Sequence, residues 1–144
     1  MRIKRWFEGP ASNIPVRPSS ASEIATLEDR YAVTLPEDFR QYLLYAQPAE
    51  ENFDAETTSW WPVARIRNIP EEYGCAIQNP EIATKADKYL FFADHLTWCW
   101  AWAIACTDDE NRGKVAVISS GDRFVADSFS EFVERYLCDW ASVT

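Results

Sequence analysis

Glycine and histidine are scarce in this chain: its 144 residues include four glycines and a single histidine, His95. Four scattered glycines cannot form the glycine-rich loop that cradles a phosphate group. One imidazole is too few for a histidine-based metal site, and no two cysteines have the C-x-x-C spacing typical of zinc ligands. We therefore expect neither a metal nor another cofactor.

Long apolar runs and an excess of positive charge are also missing. The longest apolar run, Trp98–Cys106, has nine residues, whereas a membrane-spanning helix needs about 20. Lys and Arg number 14 against 23 Asp and Glu, which gives a formal net charge of −9. Because an acidic chain repels phosphate groups, we expect no nucleic-acid partner, and the short apolar runs predict no membrane segment.

The cysteine pattern indicates a reducing compartment. The basic N-terminus reaches Glu8 before any apolar stretch, so it does not resemble a secretory signal. Without export, the four cysteines are interpreted as reduced thiols, and they are Cys75, Cys99, Cys106 and Cys138. We therefore expect a cytoplasmic protein.

The chain is predicted to form one domain over residues 20–144, preceded by an extended N-terminal arm over residues 1–19. The arm is rich in proline and shows little hydrophobic periodicity. Its apolar residues Trp6, Phe7 and Ile14 can hold it against the domain, or the arm can be loose.

Apolar residues at helical intervals predict three longer helices. The first follows the capping pair Ser20 and Glu23, and the second begins at Pro36. The third follows a second capping pair, Ser128 and Glu131. The domain therefore begins with two helices and ends with one.

Apolar segments between these helices predict strands. The segments are Trp60–Ile66, Lys88–Ala93, Thr97–Cys106, Lys114–Ser119 and Arg123–Ala126. The acidic stretch Glu50–Ser59 is expected to be a loop. Short connections between the later strands favour hairpins, which predicts an α+β fold: an antiparallel sheet of about five or six strands with flanking N-terminal helices and a C-terminal helix.

A row of tryptophans marks the longest predicted strand. Alternation places Trp98, Trp100 and Trp102 on one face and small residues on the other. The row can be core, or one or two rings can reach the surface and anchor a partner, for which Trp98 is the best placed. The adjacent Trp60 and Trp61 point to opposite sides of a strand, so we expect one to be buried and the other partly exposed.

The sequence shows no evident catalytic set. Asp94 and His95 are neighbours, so their side chains point apart in an extended segment. An enzyme that used both would need a deep pocket holding the two side chains and a further polar partner. Residues 108–111 are acidic but lack the alternating order of a calcium-binding loop, so we interpret them as a hairpin tip. We expect a non-enzymatic protein.

Acidic side chains are concentrated in three predicted loops, which are candidate partner-binding surfaces. They are Glu50, Glu51, Asp54 and Glu56 in the first loop, Glu71 and Glu72 in the second, and Asp108, Asp109 and Glu110 in the third. Solvation explains each loop alone, but together they can steer a basic protein partner. With Trp61 and Trp98, they form the predicted contact surface. The oligomeric state is left open.

Five segments of the chain resemble the SUKH superfamily, the Smi/Knr-like proteins that include a fungal cell-wall regulator and many bacterial immunity proteins. The segments are Glu23–Glu28, Leu35–Leu43, Trp60–Ile69, Tyr89–Asp94 and Val125–Val133. The resemblance covers Ser20–Trp140. The family often has Asn-Gly after the second helix, whereas this chain has Ala46–Ala49 there, so the helix must end differently.

The resemblance implies a SUKH-like α+β domain with a role in immunity. Bacterial members of the superfamily are mostly small cytoplasmic proteins that bind and neutralise a cognate toxin, often a nuclease. An acidic inhibitor can present carboxylates where the phosphates of a nuclease substrate would bind. The alternative is a regulatory scaffold of the fungal type, which binds a host protein. No binding residue of the family carries over to this chain.

Overall fold

Six helices form in the computed structural model, which describes residues 1–144. They are α1 (Arg2–Glu8), α2 (Ala21–Tyr31), α3 (Glu37–Ala46), α4 (Ile69–Glu72), α5 (Pro80–Ala83) and α6 (Phe129–Cys138). Short 3₁₀ turns lie at residues 63–65, 86–88 and 140–143. None of the helices combines the length and the hydropathy that crossing a bilayer requires.

The three long helices begin where their capping residues predict. The Ser20 hydroxyl accepts the backbone N–H of Glu23, whose carboxylate accepts the backbone N–H of Ser20, so the capping box of α2 is complete. The Ser128 hydroxyl accepts the backbone N–H of Glu131 at the start of α6. Pro36 directly precedes α3. All three predicted helices are confirmed.

Seven strands form one antiparallel sheet at the centre of the molecule. They are β1 (Asn52–Phe53), β2 (Thr58–Trp60), β3 (Arg67–Asn68), β4 (Tyr89–His95), β5 (Trp100–Ala105), β6 (Val115–Ile118) and β7 (Arg123–Ala126). The order is β1-β2-β4-β5-β6-β7, and β3 pairs with the same edge of β4 nearer its start, whereas β2 pairs with its end. The predicted α+β class is confirmed, although residues 50–59 form a short hairpin where we expected only a loop.

The predicted strand Trp60–Ile66 is wrong after its first residue. β2 ends at Trp60, and residues 63–65 form a 3₁₀ turn before β3 begins. Pro62 lies in the interruption and has no backbone N–H to donate to a ladder. Two short strands therefore take the place of one long strand along β4.

The prediction of an extended arm over residues 1–19 is wrong for its first half, where α1 forms. Ile3 and Phe7 lie four residues apart on one helical face and are buried, as is Ile14 further along. The Phe7 ring lies 5.3 Å from the ring of Trp60. The segment is therefore part of the hydrophobic core.

The sheet has two covered faces, and α1, α3 and α6 cover the one we call the helix face. There the ring of Trp102 lies 5.5 Å from Phe132 and 5.9 Å from Tyr136. Phe39 of α3 lies 5.6 Å from Phe92 of β4. This aromatic layer makes up much of the core.

The opposite face, called the loop face, is covered by residues 61–88. Along β5 this face carries the small residues Ala101, Ala103 and Ala105, which let a neighbouring layer approach the backbone. The backbone N–H of Gln78 donates to Asp122 in the β6–β7 turn, so the covering segment reaches the far side of the sheet.

Candidate functional site

The first and third predicted acidic loops lie at opposite ends of the sheet. β2 pairs with the His95 end of β4. Cys106, which lies just before the β5–β6 hairpin tip, donates its backbone N–H to the carbonyl of Lys88, next to the other end of β4. A seven-residue strand separates these ends by roughly 20 Å. We call residues 50–59 with the β4–β5 turn 96–99 the cleft end, and residues 108–110 with their surroundings the groove end. The loops therefore form two separate acidic regions.

Asp54 is buried, so its predicted role in partner contact is wrong. Its Oδ2 accepts hydrogen bonds from the indole N–H groups of Trp6 and Trp60, each at 2.9 Å, and from the hydroxyl of Tyr136. Its Oδ1 accepts two backbone N–H groups of its own loop. These five donors hold the acidic loop against α1, β2 and α6, which makes Asp54 a structural residue.

Trp60 and Trp61 are both fully buried, so the predicted exposure of one of them is wrong, and Trp61 cannot belong to a contact surface. Their rings do point to opposite faces: Trp60 lies 5.1 Å from Tyr136, and Trp61 lies 6.1 Å from Phe91. Because layers cover both faces of the sheet, neither ring reaches water.

Glu50, Glu51 and Glu56 are exposed at the cleft end, as contact with a partner requires. The guanidinium of Arg65 lies 3.5 Å from the carboxylate of Glu51. Glu50 and Glu56 form no ion pair with a side chain of this molecule. Two of the three carboxylates are thus free to meet a cation of a partner.

The two carboxylates of α4 are held by internal pairs. Glu71 accepts from the guanidinium of Arg30 at 2.8 Å and from the hydroxyl of Tyr31 at 2.9 Å. Glu72 accepts two hydrogen bonds from Arg65, at 2.7 and 2.9 Å. These bonds hold the pKa of Glu72 below its ordinary range, against the opposing effect of burial. Glu71 and Glu72 therefore position neighbouring side chains.

Asp108, Asp109 and Glu110 form the tip of the β5–β6 hairpin at the groove end, in agreement with the prediction of a hairpin tip. The hydroxyl of Thr107 donates to Asp109 at 2.6 Å, and the ammonium of Lys85 donates at 2.9 Å. Together with a backbone N–H, these donors lower the pKa of Asp109 to about 2. The central carboxylate of the tip is therefore satisfied within the chain.

A groove of about 580 Å³ lies beside this hairpin tip. The carboxylates of Asp29, Asp87 and Asp108 line it, and so do the ammonium groups of Lys85 and Lys88. No aromatic side chain lines the groove. The lysines offset part of the local negative charge, so the groove end is mixed in charge.

The β4–β5 turn at the cleft end has an unusual backbone. Leu96, Thr97 and Trp98 have φ values of 46°, 53° and 70°, and each left-handed residue other than glycine costs roughly 1–2 kcal/mol. The carboxylate of Asp94 accepts the backbone N–H of Trp98 at 2.8 Å, and the next backbone N–H donates to the carbonyl of His95 at 2.8 Å. These bonds hold a strained turn that contains no glycine.

The turn moves Trp98 away from the tryptophan row and onto the loop face. Its ring stacks on Tyr73 with centroids 5.6 Å apart and meets Phe91 edge-on at 5.1 Å. Its indole N–H donates to Glu72 at 3.1 Å. Trp102 is core, as the first interpretation states, whereas Trp98 is partly exposed, as a partner-anchoring role would require.

A cleft of about 420 Å³ opens beside Trp98 on the loop face. Phe53 of β1, which is 51% exposed, also lines it. Ser59 and Asp94, paired across β2 and β4, line its inner part and are 9% and 7% exposed. Arg65 lies at the rim. The cleft thus combines two aromatic side chains with a buried carboxylate and a buried hydroxyl.

His95 lies on the helix face and does not share this cleft. Its ring stacks on Trp100 at 4.4 Å, and its Nδ1 lies 3.5 Å from the hydroxyl of Thr58. Burial lowers the pKa of His95 below its ordinary value. Asp94 faces the opposite side of the sheet, so the two side chains do not form the common pocket that an enzyme using both would need. No cluster of three His, Cys, Asp or Glu side chains has a metal-binding arrangement.

Sequence reasoning missed most of the cleft. It did not consider Phe53, Ser59 or Arg65 as site residues, and it considered Asp94 only as a catalytic group and as the end of a family-like segment. Phe53 had a usable signal, since it is the one large apolar residue in an otherwise polar and acidic loop. The positions of Ser59 and Arg65 depend on the interruption between β2 and β3, which the apolar pattern did not reveal.

The fold is that of an α+β domain with an antiparallel sheet between two covering layers. Residues 18–135 match the SMI1 / KNR4 family (SUKH-1). Because this match covers most of the chain, the protein belongs to that family, and the resemblance seen in the sequence is confirmed. No curated protein matches the chain.

Proposed function

We propose that this chain is a non-enzymatic immunity protein, which binds and neutralises a cognate bacterial toxin in the cytoplasm. Membership of the SMI1 / KNR4 family (SUKH-1) supports a SUKH-type domain. The formal net charge of −9 favours a basic toxin. A nuclease fits this requirement well, because its phosphate-binding groove is basic.

The observation that carries this proposal is the composition of the cleft end. Phe53 and Leu96 are each 51% exposed there, next to the partly exposed Trp98. The exposed carboxylates of Glu50 and Glu56 lie on the same loop. Aromatic anchors within a charged rim are typical of protein–protein interfaces. The groove end offers carboxylates but no such anchors.

The cleft end can act on association at two ranges. Over distances of about 10 Å, the carboxylates attract a basic surface and raise the association rate at low salt. At contact, the exposed aromatic side chains lose water and slow dissociation. A binding protein of this design needs no reaction of its own.

The test of the proposal co-expresses this chain with the product of the neighbouring gene. We expect that product to arrest growth when expressed alone, and we expect this chain to restore growth and to co-purify with it in a stoichiometric complex. The proposal would be contradicted if the neighbouring product arrested growth and this chain neither restored growth nor bound that product. A harmless neighbour, together with a host protein that co-purifies, would instead favour the regulatory scaffold.

A further inference from the structure

Asp94 is a buried carboxylate that the protein leaves incompletely satisfied. Its Oδ1 accepts the indole N–H of Trp61 at 2.7 Å, and its Oδ2 accepts the backbone N–H of Trp98 at 2.8 Å. A carboxylate can accept about four hydrogen bonds, and Asp54, equally buried, accepts five from its neighbours. Asp94 also forms no ion pair, although buried charges are usually paired.

Ser59 lies directly opposite Asp94 across β2 and β4, and it too lacks a partner. Its side chain is about nine-tenths buried, yet its hydroxyl makes no hydrogen bond within the chain. This oxygen is not among the polar atoms that are sealed from solvent, and the residue lines the cleft. Two adjacent polar groups in the cleft therefore have unused hydrogen-bonding capacity.

The chain's own cation at the rim does not use this capacity. Arg65 directs its guanidinium to Glu72 at 2.7 and 2.9 Å and to Glu51 at 3.5 Å. The same guanidinium lies 3.8 Å above the ring of Trp61. Arg65 thus pairs with Glu51 and Glu72 and forms no ion pair with Asp94, although its charge also acts on Asp94 at longer range. One guanidinium cannot neutralise three carboxylates. The unmet charge at the inner part of the cleft is negative.

We propose that the cleft between Phe53 and Trp98 binds a single arginine side chain of the partner protein. The guanidinium donates to the free lone pairs of Asp94 and to the hydroxyl of Ser59. The two aromatic side chains lie against its apolar stem and planar head, an arrangement that favours a cation. This inference rests on the proposed function, because the arginine belongs to the neutralised toxin.

Arginine fits this cleft better than lysine for geometric reasons. Its five N–H donors point outward in one plane, so one guanidinium can reach both Asp94 and Ser59. It is also more weakly hydrated than an ammonium group and stacks on aromatic rings. A lysine would offer a single charged point and would lose more hydration on entering the cleft.

The experiment uses the isolated protein and a small probe, so it does not depend on the toxin. N-acetyl-arginine amide is titrated to about 50 mM while the indole N–H resonance of Trp98 is followed by two-dimensional NMR. We expect this resonance to shift and to approach saturation. N-acetyl-citrulline amide, which has the same shape without the charge, should leave it unchanged, and N-acetyl-lysine amide should bind more weakly.

Two variants locate the probe within the cleft. Phe53→Ala removes an exposed ring and should weaken arginine binding by roughly two- to fivefold, the usual size of one cation–π contact. Asp94→Asn removes the charge and should weaken it by about tenfold or more. Because Asp94 also accepts two internal hydrogen bonds, retained dispersion of the amide spectrum must first show that this variant folds; Ser59→Ala serves as a second, milder variant.

Several results would overturn the inference. They are the absence of any shift, an equal response to citrulline or lysine, and shifts that survive both Phe53→Ala and Asp94→Asn. A titration without binding would not exclude growth rescue by the chain, and a lack of growth rescue would not exclude binding of the arginine probe. The two proposals can therefore fail separately.

Discussion

The cleft end and the groove end carry similar numbers of carboxylates but differ in what those carboxylates do. At the groove end, Asp109 is surrounded by donors of its own chain, and Lys85 and Lys88 line the groove between the remaining aspartates. At the cleft end, Glu50 and Glu56 form no ion pair. Asp108 and Glu110 form none at the groove end either, but there the two lysines offset part of the negative charge. The density of acidic residues in a sequence therefore says little about which acidic surface is available to a partner.

Backbone and aromatic content separate the two ends as well. The cleft end has three successive left-handed residues and exposes Phe53 and Leu96, whereas the groove end exposes no large apolar side chain. Strained backbone and exposed aromatic rings both carry a cost, so they persist only where another role maintains them. The comparison teaches that the cleft end has the features of an interface and the groove end those of a solvated surface.

The largest expected effect concerns the carboxylate that supports the cleft end. Asp54→Ala leaves the N–H groups of Trp6 and Trp60 and the hydroxyl of Tyr136 without an acceptor. Each orphaned buried donor costs about 1–3 kcal/mol, so unfolding in urea should show a loss of about 3 kcal/mol or more.

The matched variant at the groove end is Asp109→Ala, which also removes an acceptor of several donors. Because this carboxylate is partly exposed and water can take its place, the loss of stability should be much smaller. If Asp54→Ala does not fold, Asp54→Asn keeps one acceptor oxygen and should give an intermediate loss. Equal losses at Asp54 and Asp109 would remove the structural distinction between the two ends.

Charge reversal should give the second-largest effect. Replacement of Glu50, Glu51 and Glu56 by Lys should slow association with the neighbouring gene product by about tenfold at low salt and flatten its salt dependence. The control replaces Asp29, Asp87 and Asp108 by Lys, which changes the net charge equally at the groove end. Stopped-flow kinetics that show equal slowing for both triple variants would assign the effect to net charge alone.

The strained turn predicts a gain in stability. Thr97 is exposed with a φ of 53°, a conformation that glycine adopts without steric cost. After allowance for the extra freedom of glycine in the unfolded chain, Thr97→Gly should raise the free energy of unfolding by roughly 0.5–1 kcal/mol. The control Ala25→Gly, at an exposed position of α2, should lower it by about 1 kcal/mol. Destabilisation by both variants would show that the turn is not strained.

The smallest effect is expected from His95. Burial lowers its folded pKa below the ordinary value of 6.5, so the unfolded chain binds the proton more readily. Stability should therefore fall as the pH drops below about 6.5, and His95→Gln should reduce this slope. Because His95 is the only histidine, NMR titration of its ring gives the folded pKa directly, and a value above 6.5 would contradict this account.

The sequence predicted the helices well because their signals are local. The pairs Ser20–Glu23 and Ser128–Glu131 form their capping contacts within a few residues, so no distant partner can alter them. The strand Arg123–Ala126 was likewise correct, because turn residues bound it on both sides. α1 was missed because its stability comes from burial of Phe7 against the core, a contact with residues distant in sequence. The proline-rich segment that follows it also made the whole N-terminal region look extended.

The candidate site could be predicted only in part because it depends on long-range contacts. Exposure of Glu50 and Glu51 follows from a polar loop, but burial of Asp54 depends on indole donors from α1 and β2 that its own loop does not contain. Burial of Trp61 depends on the layer over the loop face. The location of Trp98 depends on the left-handed turn, which contains no glycine to mark it.

The most direct test of the central claim, that the cleft end meets the toxin, is an amide hydrogen-exchange map of this chain alone and in complex with the neighbouring gene product. We predict slower exchange on binding at residues 52–53 and 96–99, with no change at residues 108–110. Protection confined to residues 108–110 and the groove beside them, with the cleft end unchanged, would contradict the claim.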